Sequence, residues 1–140
     1  NRRLLLTGEV PTEAQRTQAE RIAQGVENVV QVYNELAVMP NSSLSNRSSD
    51  TLVTTRVKSA LIDAKDLYAN SVVVTTERSV VYLMGRVTQR ESARIVDIAA
   101  TTKGVFKVVN LMEIISEAKA RELDPPPPDK SKQPAPETSR

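Results

Sequence analysis

Apolar residues recur along this chain with two periods. Ala19, Ile22, Ala23 and Val26 follow helical spacing. So do Ile95, Val96 and Ala99, and so do Val53, Val57, Ala60, Leu61 and Ala64. Between these stripes lie β-rich stretches at 29–38, 71–76, 79–87 and 105–115. The pattern predicts a helix over 50–66, a strand over 71–76 and a short turn near Glu77-Arg78. A strand over 79–87, a helix and a closing strand follow. Along 79–87, Val80, Tyr82 and Met84 point one way, and Val81 and Leu83 the other. In the closing stretch Val109 and Leu111 oppose Val108 and Met112. Both sheet faces are therefore apolar. Helices can cover one, and the other is left for a second domain, another chain or solvent.

The four glycines expose a repeat. Leu6-Thr7-Gly8-Glu9-Val10 resembles Leu83-Met84-Gly85-Arg86-Val87, and Gln24-Gly25-Val26 resembles Lys103-Gly104-Val105. Thr12 with Gln15, and Thr88 with Glu91, each have the spacing of a capping box. Gly25 and Gly104 stand where a helix would close on a left-handed residue. The expectation is an internal strand–helix–strand repeat.

The two copies are unequal. The second reads α-β-β-α-β over 49–116. The first, 1–38, begins directly in its strand, with no counterpart of the leading helix and first strand. It reads as the remainder of a domain cut or processed within a longer protein, marginal alone, and packed on the second domain or another chain. Residues 39–48, with Pro40, Asn41, Asn46 and several serines, read as a linker. Residues 117–140 read as a short helical extension followed by a disordered tail. From Asp124 onward the tail holds six of the eight prolines, including Pro125 to Pro128. The fold class is α+β.

Composition removes several chemistries. There is no Cys, His or Trp, so a disulfide scaffold, a thiolate or imidazole metal site and nucleophile–histidine catalysis are excluded. No cofactor motif stands out. Neither G-x-S-x-G, S-x-x-K nor a phosphate loop organises the remaining hydroxyl, amine and carboxylate groups. The balance of 19 basic against 17 acidic residues gives a net charge of +2, too small to argue for nucleic acid. No G-x-x-G clamp is present, and Tyr33, Tyr68, Tyr82 and Phe106 are too scattered for a base-stacking platform. No apolar run reaches bilayer-spanning length. Asp63, Asp66 and Glu77 read as solvated charges rather than a carboxylate centre.

The repeat, with its strand-end and helix-end glycines, resembles the BON domain family. The resemblance rests also on Val32-Tyr33-Asn34-Glu35, on the run from Ser49 through Thr51-Leu52-Val53-Thr54-Thr55-Arg56-Val57-Lys58 to Ser59, on Val74-Thr75-Thr76-Glu77, and on Tyr82-Leu83-Met84-Gly85-Arg86-Val87-Thr88. It covers roughly residues 4–115. It implies tandem BON domains in a periplasmic lipoprotein held to the outer membrane by a lipidated N-terminal Cys outside this chain. It further implies envelope integrity and cell-division functions without catalysis. The ligand it implies is anionic phospholipid, phosphatidylglycerol in particular, bound through the first helix of the second domain.

The helix 50–66 suits that implication. Stepping 100° per residue puts Val53, Val57, Ala60, Leu61 and Ala64 on the core side. The opposite side carries Leu52, Thr55, Ser59 and Ile62. Arg56 borders it on one flank, Lys58 and Lys65 on the other. Aliphatic residues can enter the acyl–headgroup boundary while cations meet phosphates. The other reading is an ordinary amphipathic helix with two stray aliphatics. The resemblance to enteric members of the family implies a Trp where this sequence has Leu52, so the interfacial N–H handle is lost. A protein partner, docked through the second sheet face or the Pro-rich tail, is the competing function.

Overall fold

A computed structural model describes residues 2–40, 44–67 and 71–123. The elements run β1 (Arg3–Leu6), β2 (Glu9–Val10), α1 (Glu13–Gln24), β3 (Gln31–Asn34) and β4 (Ala37–Val38). They continue with α2 (Leu44–Asp63), β5 (Val72–Glu77), β6 (Val80–Val87), α3 (Gln89–Thr101), β7 (Lys107–Asn110), β8 (Glu113–Ile114) and α4 (Glu117–Leu123). Strand β1 pairs parallel with β3, and β2 with β4. In the second unit β5 and β6 form an antiparallel hairpin, and β7 and β8 each join β6 in parallel. Each parallel pair needs a crossover, which α1 and α3 supply.

The repeat is real in space, though its landmarks shift. Thr12 and Thr88 both cap helices, accepting the amides of Gln15 and Glu91. Only Thr88 completes the box, because the Glu91 carboxylate also takes the Thr88 N–H at 2.9 Å. Asn34 and Asn110, at the same interval, end the parallel strands. Their side-chain oxygens accept the N–H groups of Leu36 and Met112. Their amide groups donate back to the helices, to the Arg16 carbonyl and to the Ser92 hydroxyl. These Asx turns divide the stretches 29–38 and 105–115 into two short strands each.

The left-handed helix end is a correction. Gly104 has φ +94°, but Gly25 has φ −79° and is right-handed. After the helix of the first unit the positive φ falls at Asn28, at +69°. Asn28 is the true equivalent of Gly104, since asparagine also tolerates that conformation.

The bounds of the long helix are a second correction: residues 44–48 are helical, so α2 starts before 50, and it ends at Asp63 rather than at 66. Nothing after Pro40 breaks a helix: no Gly or Pro occurs between Asn41 and Asp66. Thr51 bonds its hydroxyl back to the Arg47 carbonyl one turn earlier. At the other end Leu67 turns in and packs against the core, its N–H bonded to the Ala64 carbonyl. Residues 41–43 and the Pro-rich segment 124–140 lie outside the described residues. The helical extension is α4.

Burial is concentrated in the second unit. Val53, Val57 and Leu61 of α2 meet Val74, Val81, Leu83 and Val87 of the sheet and Ile95 and Ala99 of α3. In the first unit Ala23 is the one buried apolar residue among the described residues. Ile22 is 64% exposed, while Ile98 at the matching place packs against the core. The difference is α2 and β5, which have no counterpart in the first unit among the described residues.

The second sheet face is covered in part from within the chain, around Tyr82, while Val73 on the same face stays 61% exposed. Tyr82 points away from the helices yet is only 8% exposed. Gly8, Glu35 and Ala37 of the first unit share a cavity wall with Val80 and Tyr82. Further along, Arg3 pairs with Glu113 at 3.8 Å, and Glu113 also meets Arg86 at 3.6 Å.

Candidate functional site

Helix α2 divides as its periodicity predicts. Val53, Val57 and Leu61 are buried, and Ala60 and Ala64 lie half-buried beside them. On the outward side Leu52 is 49% exposed and Ile62 is 70% exposed. Thr55 and Ser59, both exposed, lie between them. The Thr55 hydroxyl donates to the Thr51 carbonyl, so its polarity is partly spent on the helix itself. The strip between the two aliphatics is small and weakly polar.

Lys58 and Lys65 are exposed and Arg56 is half-buried. None of the three makes an ion pair among the described residues. Their charges therefore stay available to an external anion. All seven predicted residues, from Leu52 to Lys65, sit on α2 or just beyond its last turn. No helix of the described residues is long and apolar enough to cross a membrane.

Two polar features escaped the sequence reading. The first holds α2 in place. Asp50 is buried and accepts the backbone N–H groups of Arg78 and Ser79 at 2.7 and 2.9 Å. Those residues form the β5–β6 turn with φ of +53° and +63°. Paired left-handed residues match a two-residue hairpin, but neither is the glycine or asparagine such a turn prefers. Four residues on, Thr54 and Thr76 share a 2.7 Å hydroxyl–hydroxyl bond. Together these fix the roll of α2 on the sheet, and hence which side faces out.

The second is a polar cavity of about 590 Å³ between the units, lined by Glu9, Arg47, Asp50, Thr54 and Glu77 among others. Burial, with the nearby Glu9 and Asp50 carboxylates, holds the Glu77 pKa above the ordinary glutamate value, and Arg47 partly opposes this. Burial and the charges of Glu35 and Glu77 likewise raise the Tyr82 phenol. Asp63, Asp66 and Glu77 are not brought together: Asp66 pairs with Arg90 and Arg94 at 3.6 Å, and Asp63 lies beside α3. No group of acidic residues among the described residues is arranged to hold a metal ion.

Comparison with known proteins places this geometry. The BON domain family matches residues 1–40 and 49–116. The chain is 39% identical over 115 residues to the outer membrane lipoprotein DolP of Haemophilus influenzae, covering 82% of this chain and 60% of that protein. It is 30% identical to a 21 kDa hemolysin of Actinobacillus pleuropneumoniae, covering 82% of this chain and 59% of that one. It is 34% identical to the osmotically-inducible protein Y of Escherichia coli, covering 75% of this chain and 54% of that one. The chain thus spans less than two thirds of the length of each of these relatives.

Proposed function

The chain belongs to the BON domain family, and from that membership and the outward face of α2 we propose that it is a non-enzymatic envelope protein that binds anionic phospholipid. In this reading the two matched segments are BON units in tandem, the first lacking its leading helix and strand. The protein works at the periplasmic side of the outer membrane, as the lipoprotein relative's name suggests, tethered by a lipid outside these residues and supporting membrane integrity. Phosphatidylglycerol is the proposed ligand. The Pro-rich segment 124–140 is read as a disordered tail.

The observation that carries the reading is the exposure of Leu52 and Ile62 on a helix side whose cations make no ion pair among the described residues. Burying two aliphatic side chains at the acyl boundary contributes roughly 1.5–3 kcal/mol each at full burial. Each nearby cation adds about 1 kcal/mol at an anionic surface. The sum is weak, reversible binding that a separate anchor would make stable.

The test is co-sedimentation of the full chain with phosphatidylglycerol vesicles. Leu52→Asp and Ile62→Asp should each remove binding while the circular dichroism spectrum is retained. Lipid-induced NMR shifts clustered away from α2 would overturn the assignment. A protein partner on the second sheet face would share that face with the first unit beside Tyr82 and would find Val73 61% exposed.

A further inference from the structure

We propose that the pocket beside Tyr82, walled by both units, takes the guanidinium of an arginine side chain from a partner protein, with Tyr82 Oη, Glu35 and Glu77 as acceptors and Phe106 against the stem. The pocket holds about 280 Å³. That is small for a drug-sized ligand and suits one long side chain. None of its lining residues belongs to α2, so it is separate from the outward strip of that helix.

Tyr82 is only 8% exposed, yet its hydroxyl makes no hydrogen bond among the described residues. A buried phenol ordinarily finds a partner. Arg86 Nε is the one fully enclosed side-chain nitrogen or oxygen without a partner among the described residues, so the Tyr82 oxygen is open to the cavity it lines. The carboxylates stand close enough to act on that oxygen. Burial first, then the charges of Glu35 and Glu77, hold the phenol pKa above its ordinary value, and Arg78 opposes them. Glu35 and Glu77 against Arg78 leave the lining net negative. Arg78 itself is turned aside, its guanidinium directed at the Met39 sulfur. Phe106 is 84% exposed, the most exposed of the large apolar residues described. Its backbone N–H is bonded to the Ser79 carbonyl at 2.9 Å, which fixes the residue at the hairpin end of the sheet.

This set of groups favours a guanidinium over an ammonium. An ammonium is a compact, strongly hydrated charge. A guanidinium is more weakly hydrated, presents five N–H donors in one plane and favours aromatic neighbours. It can give one N–H to the phenol oxygen and others to the two carboxylates while its flat body rests against the aromatic walls.

The test titrates the full chain with the peptide acetyl-Gly-Gly-Arg-Gly-Gly-amide, and with its lysine and citrulline counterparts, followed by NMR. The arginine peptide should shift the Tyr82 and Phe106 ring resonances. The lysine peptide should bind several-fold more weakly, and the neutral citrulline peptide should not bind. Equal binding of the arginine and lysine peptides, or shifts confined to other surfaces, would overturn the site. Tyr82→Phe removes a hydroxyl that has no partner in the fold. Its melting temperature should therefore not fall, while its affinity for the arginine peptide drops about tenfold, as for a lost hydrogen bond to a charged group. Glu35→Gln should lose about fivefold, the upper range for a partly exposed charge pair. Glu27→Gln, the same charge change on an exposed residue outside the pocket, should lose little. Equal losses from these two variants would reduce the effect to overall charge and defeat the site. If the chain alone dimerises in light scattering and Tyr82→Phe makes it monomeric, a second copy supplies the arginine and the partner assignment falls.

Discussion

Asp50 Oδ2 accepts the backbone N–H of Arg78 at 2.7 Å, joining the second turn of α2 to the tip of the β5–β6 hairpin. The same carboxylate takes the Ser79 N–H, so one buried side chain satisfies both amides of a turn with two left-handed residues. The outward face of α2 inherits its direction from this clasp.

Asp50→Ala leaves the two amides of the turn without their side-chain acceptor. Hydrogen bonds to a charged group contribute about 1.5–3 kcal/mol. The variant should therefore lose about 2–4 kcal/mol in urea unfolding, with a lower midpoint and little change in slope. Asp50→Asn keeps one acceptor and should lose about half as much. An unaltered midpoint for Asp50→Ala would show that the turn holds itself.

Leu52 supplies an apolar contact without a polar handle. Leu52→Trp adds an indole suited to the membrane interface, and the chain has no other Trp to obscure its signal. The variant should bind phosphatidylglycerol vesicles several-fold more tightly, with a blue shift of its emission. Emission that stays at the value for exposed indole would place this side of α2 in water.

Gly8 and Gly85, matched in the repeat, should respond differently to alanine. At Gly85, with φ +150°, an added Cβ runs into the Ser71 carbonyl in the neighbouring β5 region. At Gly8, with φ +117°, the space around the new methyl is open. Gly85→Ala should cost more than about 3 kcal/mol, and Gly8→Ala about 1–2 kcal/mol from backbone strain alone. Thermal unfolding of the two variants side by side measures the difference.

Glu77 gives a pH signature. Its pKa is raised in the folded chain by burial and by Glu9 and Asp50, so the folded state holds its proton more tightly than the unfolded state. Its contribution is thus most favourable below the ordinary glutamate pKa and declines as pH rises through the folded value. Glu77→Gln should raise the melting temperature at pH 7, with the gain shrinking toward pH 4. A gain that is constant with pH would mean ionisation is not the cause.

Much of α2 was legible because a 100° step is a strong constraint. Val53, Val57 and Leu61 had to face the sheet, which turned Leu52 and Ile62 outward. The repeat was legible from its glycines, but one of them misled. Gly25 looked equivalent to Gly104, when Asn28 occupies that conformation. Asn34 and Asn110 carry a pair of turns that a search for Gly and Pro passes over. The start of α2 was missed because serine-rich composition reads as a loop, although no residue there forbids a helix. Asp50 and the pocket beside Tyr82 were invisible for another reason. Their partners lie tens of residues away, and periodicity carries no information about such meetings.

The lopsided burial has a consequence for how the molecule breathes. Amide hydrogens along β6 and α3 sit over the packed interior and should exchange with deuterium last, reporting the global opening. Those of β1 and β3, in the unit where Ala23 is the one buried apolar residue among the described residues, should exchange sooner. The first unit can then peel away and reseat on the second without the outward side of α2 losing its shape.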